Sequence, residues 1–361
     1  PGPRGHRAVS ALRSAAVLIF LATSISSHSE VDAADPCTGA EPALESISKT
    51  FEEGRWDEAE QFIQPLELSH PECGHVVIAA ARLRAAQGDP AEAERLFSRA
   101  LTLAPDDAVT YALFARFQLS RGLWLQAARL SVQSLAIDPD CPGALVVQGR
   151  ILGQQGRLGE ARAALERAVA VDPTNFEANY ELGAWFFRIN RFDLAAHWFE
   201  AANALRPQRT QSRGYLALSL EMLGENERAE RVYREALQVN TAPFFDPTLD
   251  YNFGRFLLKQ GRLEESLPHL DRAVALHPLR RGPRYQRARL YLARGDYESA
   301  RKDAERALAL GKPGDVVLDL QVFYLLATIY SRLGESELAE KYAELARTTE
   351  IPDQADDLRR R

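Results

Sequence analysis

The stretch from Gly156 to Asn190, GRLGEARAALERAVAVDPTNFEANYELGAWFFRIN, decides how the chain folds. It opens on a glycine, passes small residues at Ala161 and Ala168, and meets a proline at Pro173. Another small residue comes at Gly183, and the stretch closes on an asparagine 34 positions after it began. Gly and Asn are the residues that readily accept a left-handed backbone, which a tight turn between two helices needs. Working outward, Gly54, Gly88 and Gly122 precede Gly156 at the same spacing of 34, and Gly224 follows Asn190 at 34. Gly261, Gly295 and Gly334 continue at 37, 34 and 39. Nine turns predict nine helical hairpins.

Other columns move with the turn. Five residues after it stand Ala59, Ala93, Ala127, Ala161, Ala195, Ala229, Ser266, Ala300 and Ala339. Twelve after it, seven of nine positions are Ala, among them Ala100, Ala168 and Ala307. Seven before it, Gly149, Gly183 and Gly254 alternate with alanines. Helices packed 8–10 Å apart leave room only for small side chains where they cross. Phe97, Leu165, Phe199, Tyr233 and Leu270 fill the spaces between crossings. Seventeen after the turn come Pro71, Pro105, Pro139, Pro173, Pro207 and Pro278, and proline ends the second helix.

The period of 34, with Gly295-Asp296-Tyr297 before Ala300 and Gly156-Arg157-Leu158 before Ala161, resembles the tetratricopeptide repeat. The resemblance implies an all-α fold, a right-handed superhelical solenoid of about nine repeats over residues 34–352. Units start near 40, 74, 108, 142, 176, 210, 247, 281 and 320. The sixth unit lacks its proline, and Phe244-Phe245-Asp246 is inserted before the seventh. A second insertion, Asp315 to Asp319, extends the first helix of the ninth. Residues 353–361 form a polar tail.

Before the array, Arg4, Arg7 and Arg13 precede an apolar run from Ala15 to Thr23, and small polar residues follow. Residues 1–33 therefore read as a signal peptide, cleaved near Ser24, Ser26 or Ala33, and the chain as periplasmic or secreted. The alternative is an ordinary cytoplasmic N-terminus. No later run is apolar enough to cross a membrane, so the cleaved chain is not expected to be an integral membrane protein.

The formal net charge is -6, and 39 of the 44 basic residues are Arg, so bulk positive charge for nucleic acid is missing. The resemblance implies that the first helices line a concave wall along which a protein or peptide partner lies. One wall column reads Arg82, Arg116, Arg150, Arg255 and Arg289. A turn earlier come Tyr180, Tyr251, Tyr285 and Tyr324, with Asn252 beside them. Forked Arg donors and flat Tyr rings suit an extended, acidic partner. Arg is also common on the outer columns, so a solvated face is the competing account. The Lys and Asn set that holds chaperone tails in one branch of the family has only Asn252 here.

Antiparallel helices bring Cys37, before the first hairpin, next to Cys73, after it, so an exported chain would join them and leave Cys141 free. Three reduced thiols are the alternative. His70, Cys73 and His75 lack a fourth metal ligand, and no metal or cofactor is expected. No nucleophile elbow, zinc helix or phosphate loop appears, so the chain does not read as an enzyme. The reading is an exported interaction scaffold that assembles an envelope or secretion complex. The alternatives are a non-catalytic partner of a polysaccharide synthase or transferase, and an enzyme with no recognisable motif. The oligomeric state is open, since the face of a last hairpin can dock another copy.

Overall fold

A computed structural model describes residues 35–311 and 317–349, and these contain helices and no strand. The expected signal peptide and polar tail lie outside the described residues. The first three hairpins are α1 (Glu41–Glu53) with α2 (Trp56–Ser69), α3 (Gly74–Ala86) with α4 (Pro90–Leu103), and α5 (Ala108–Ser120) with α6 (Trp124–Ile137). The next three are α7 (Pro142–Gln154) with α8 (Leu158–Val171), α9 (Phe176–Arg188) with α10 (Phe192–Leu205), and α11 (Thr210–Met222) with α12 (Asn226–Gln238). The last three are α13 (Leu249–Lys259) with α14 (Leu263–Leu276), α15 (Arg281–Arg294) with α16 (Tyr297–Ala309), and α17 (Asp319–Leu333) with α18 (Ser336–Thr348).

The turn column explains where first helices stop. Eight turn glycines have positive φ, and Asn190 takes their place with φ 60°. Several second and first helices begin on a side-chain cap: Asp89, Asp107, Asn175 and Asp296 each accept a backbone N–H of the first turn. Such a cap contributes about 1 kcal/mol. The small-residue column sets how closely the hairpin arms approach. A Cβ on Gly149 would lie 2.7 Å from Leu165 Cγ, and one on Gly183 3.0 Å from the Phe199 ring. Phe97, Phe199, Tyr233 and Leu270 are fully buried in the seams between helices. Each such burial stabilises by about 2 kcal/mol.

Each hairpin packs on the next, and successive first helices also touch, as α5 does α7 and α7 does α9. The closer spacing of first helices makes theirs the inner, concave side. Cys37 and Cys73 are joined by a disulfide with Cα atoms 4.7 Å apart, across the mouth of the first hairpin. Cys141 is a buried free thiol in the corresponding place before α7.

Both insertions are tied down by polar side chains. Asn240 Nδ2 donates to the Asp246 carbonyl at 2.9 Å, and Asn240 Oδ1 accepts from the Asp246 N–H at 2.7 Å. The Thr210 hydroxyl donates to the Phe244 carbonyl at 2.9 Å. These bonds turn Pro243 and Phe244 toward the lumen, where they meet Gly54 of the first hairpin. At the second insertion, α17 begins at Asp319, and residues 312–316 lie outside the described set. Buried Arg281 donates to the carbonyls of Ala307 and Val317 at 2.8 Å each, and also pairs with Asp319.

Candidate partner-binding surface

The Arg and Tyr columns do stand on the first helices, but their surroundings divide the wall in two. From α5 to α13 the column's arginines find partners within the chain. Arg116 Nη1 lies 3.5 Å from Glu177 Oε1, and Arg150 Nε lies 3.2 Å from Glu181 Oε1, both carboxylates on α9. Arg255 is forked onto Glu221 of α11 at 2.6 and 3.1 Å, and Lys259 Nζ approaches the same carboxylate at 3.4 Å. Glu221 is buried, so the carboxylate side of this pair is shielded from water. Burial alone would pull Arg255 down, but Glu221 outweighs it and holds the guanidinium above its ordinary value. Arg82 has no such partner among the described residues and lies over the Phe51 ring at 4.3 Å.

Tyr180 belongs to an aromatic cluster, with Phe199 at 5.7 Å and Tyr215 at 6.0 Å between ring centroids. Burial drives its hydroxyl pKa well above the ordinary value. That ring serves packing in this chain. The C-terminal part differs. Tyr251, Asn252 and Tyr285 are half-buried, and Arg289 is exposed. Among the described residues Arg289 bonds only to Gln286 within its own helix, at 3.0 Å, and leans toward the Tyr285 ring at 5.9 Å. Tyr324 keeps 55% of its surface exposed. These five residues form the open stretch of the wall.

Where the wall curves back on itself it leaves a half-open cavity of about 650 Å³. Its floor comes from α1, α3 and α5, and its far side from Asn175, Glu177, Arg206, Arg209 and Phe244. Arg206 bridges Glu177 and Glu52 at 3.3 Å each, the latter 154 residues away. Burial would raise Glu177, but Arg116 and Arg206 outweigh it and hold its carboxyl below the usual range. Glu181 goes the other way: burial raises it, with Arg150 and Arg188 offsetting only in part.

Sequence reading missed these partners. Glu177, Glu181 and Glu221 stand in the two units whose Arg column holds Ala184 and Leu218 instead. That exchange of basic for acidic residues was the available signal. Glu181 and Glu221 lie one repeat from their arginines and Glu177 lies two, so the pairing crosses units, which a column within one repeat does not encode. His269 has a partner that the repeat columns do not show: Nδ1 sits 2.6 Å from Asp250 Oδ1, and the ring meets Phe253 edge-on at 4.9 Å. His75 Nδ1 lies 3.7 Å from Cys37 Sγ, but the disulfide leaves neither sulfur as a thiolate to hold a metal.

No helix among the described residues is long and apolar enough to cross a membrane. Residues 51–108, 146–210, 187–244, 215–281 and 285–355 match the tetratricopeptide repeat, and residues 84–151 match a second form of it. The Protein CTR9 homolog of Arabidopsis thaliana is 25% identical over 193 residues, 52% of this chain and 18% of that protein. The Tetratricopeptide repeat and J domain-containing co-chaperone DNJ1 of Fusarium oxysporum f. sp. lycopersici is 25% identical over 228 residues, 59% of this chain and 44% of that protein. The chain thus spans less than half the length of these relatives. A solved chain of the APC/C hetero-tetramer Cut9-Hcn1 superposes with a TM-score of 0.67 at 16% identity, over 84% of this chain and 57% of that one. That likeness is one of fold. Tetratricopeptide-repeat proteins act as scaffolds for protein and peptide partners. With matching segments over most of its length, the chain belongs to the tetratricopeptide-repeat family.

Proposed function

We propose that this protein is a non-catalytic interaction scaffold that holds an extended partner segment on the C-terminal part of its concave wall. The observation that carries this is the contrast along one column. Arg116, Arg150 and Arg255 are neutralised within the chain, whereas Arg289 keeps its fork for a partner beside Tyr285 and below Tyr324. A row of half-exposed tyrosines offers contact area at low entropic cost, and Arg289 selects for a carboxylate. The partner segment is therefore acidic and extended.

The proposed place of action is outside the cytoplasm, in an envelope or secretion complex. The positive flank and apolar run at the N-terminus support it, as does a disulfide of the kind that persists in oxidising compartments. Native co-purification with mass spectrometry, on wild type and on Tyr285→Ala/Arg289→Glu, tests the wall. A defined protein partner lost from the double variant is the expected result. A partner retained at full yield would move the site elsewhere. N-terminal sequencing of the protein from a cell fraction tests export, and an uncleaved chain in the cytoplasm would end that part of the proposal.

A further inference from the structure

The lumen cavity holds more positive charge than the chain neutralises. Four guanidinium groups line it, Arg82, Arg116, Arg206 and Arg209, against the carboxylates of Glu52 and Glu177. Glu177 pairs with Arg116 and Arg206, and Glu52 pairs with Arg206. Among the described residues, Arg82 and Arg209 make no ion pair, and Arg209 Nε is buried with no hydrogen-bond partner. Ring faces hold these two groups instead. Arg82 lies 4.3 Å from the Phe51 centroid, and Arg209 lies 4.4 Å from that of Phe244 and 5.5 Å from that of Phe176. A guanidinium fixed by its faces keeps its N–H donors in its own plane, free for a carboxylate or phosphate.

We propose that this cavity binds a small organic dianion, two carboxylates or a phosphate monoester carried on an apolar body. The charge balance asks for two negative charges. The half-buried Phe117 and Phe244 rings ask for an apolar or aryl body. The volume of about 650 Å³ is that of a small-molecule site. The Glu52–Arg206 bridge and the contact of Phe244 with the first hairpin narrow the lumen to a half-open pocket, which favours a compact ligand over an extended chain. Like-charge crowding is already felt: burial first, then Arg116, pulls Arg82 down to about 10. Burial also lowers Arg209, with Arg206 and Arg116 adding to it against Glu177. A bound dianion relieves both. This site is separate from the Tyr285–Arg289 wall and goes beyond a scaffold function.

Calorimetric titration of the full chain with phenyl phosphate and with phthalate tests it, alongside benzyl alcohol and inorganic phosphate. Saturable one-to-one binding of a dianion is expected, and the tighter of the two identifies phosphate or carboxylate as the head group. Arg82→Gln and Arg209→Gln should each weaken it roughly tenfold or more, and Arg129→Gln, on the exposed face of α6, should leave it unchanged. Without ligand, Arg82→Gln should melt no lower than wild type, because it removes a crowded charge. If Arg209→Gln does not fold, Arg82→Gln and the ligand-induced rise in wild-type Tm carry the test. Absence of binding at millimolar dianion, or undiminished binding by Arg82→Gln, overturns the proposal. So does tighter binding of a glutamate-rich peptide with the same arginine dependence. Inorganic phosphate binding as tightly as phenyl phosphate removes the apolar body from the ligand.

Discussion

Single side chains in this array have very unequal weight, and the buried carboxylate of Glu221 is among the heaviest. It neutralises Arg255 and Lys259 from a position 1% exposed. Removing it strands Arg255 in a largely desolvated place, so Glu221→Ala should cost about 3 kcal/mol. Chemical denaturation measures this, and a loss below roughly 0.5 kcal/mol would show that solvent reaches the pair. Turn glycines divide in the same way. Gly224 has φ 79° and open space for at least 4 Å around the place a Cβ would take, whereas a Cβ on Gly54 would strike the Pro243 ring and come 2.9 Å from Phe244 Cζ. Both Ala variants lose about 1 kcal/mol to the left-handed backbone. Gly54→Ala should lose clearly more, and equal melting temperatures for the two would deny the cross-lumen contact. Charge reversal at Arg116 and Arg150, which treats them as partner contacts, would instead set like charges against Glu177 and Glu181 and loosen the fold.

Pairs of helices carry the next level of organisation, and here the outer faces are laced by charge. Arg234 of α12 and Arg262, just before α14, share Glu230 and Glu265, at distances from 2.6 to 3.1 Å. Arg262 first, then Arg234, hold Glu265 at about 2 against an ordinary 4.5. A carboxylate held low in the folded chain adds stability that is full above its unfolded value and is lost as the pH falls through its folded one. The melting temperature should therefore drop between about pH 4.5 and 2, less steeply in Glu265→Gln. An identical acid profile in that variant would mean that solvent screens the network entirely. The disulfide acts on the first hairpin alone. It closes a separation of 36 residues, so the Cys37→Ser/Cys73→Ser chain should lose about 3–4 kcal/mol, mostly as early fraying of α1 and α2 in hydrogen exchange. Helix-level features are where the sequence was most legible. Gly, Ala and Pro columns repeat locally, because a turn, a crossing and a helix end each impose one residue type. Even the atypical turn at Asn190 shows itself, since asparagine shares the backbone freedom of glycine.

At the scale of the whole molecule, the wall was legible as a surface but not as a sequence of environments. Columns place Arg116 and Arg289 alike, yet one faces Glu177 across the superhelix and the other faces open space. That difference arises only when residues 61 apart in the chain meet, which no repeat-length pattern records. The insertion at Phe244-Phe245-Asp246 was visible as a break in the period, while its destination beside Gly54 was not.

That destination changes what kind of object the array is. In an open solenoid each repeat answers only to its neighbours, and unfolding can begin at either end and spread inward. Here Arg206 and Phe244 reach back to Glu52 and Gly54, so the first hairpin cannot leave without disturbing the sixth. Releasing that closure with Glu52→Ala/Phe244→Ala should split one cooperative denaturation curve into two, with the early step confined to the N-terminal hairpins. The clasp should therefore turn a chain of independent links into a loop whose halves share one melting event.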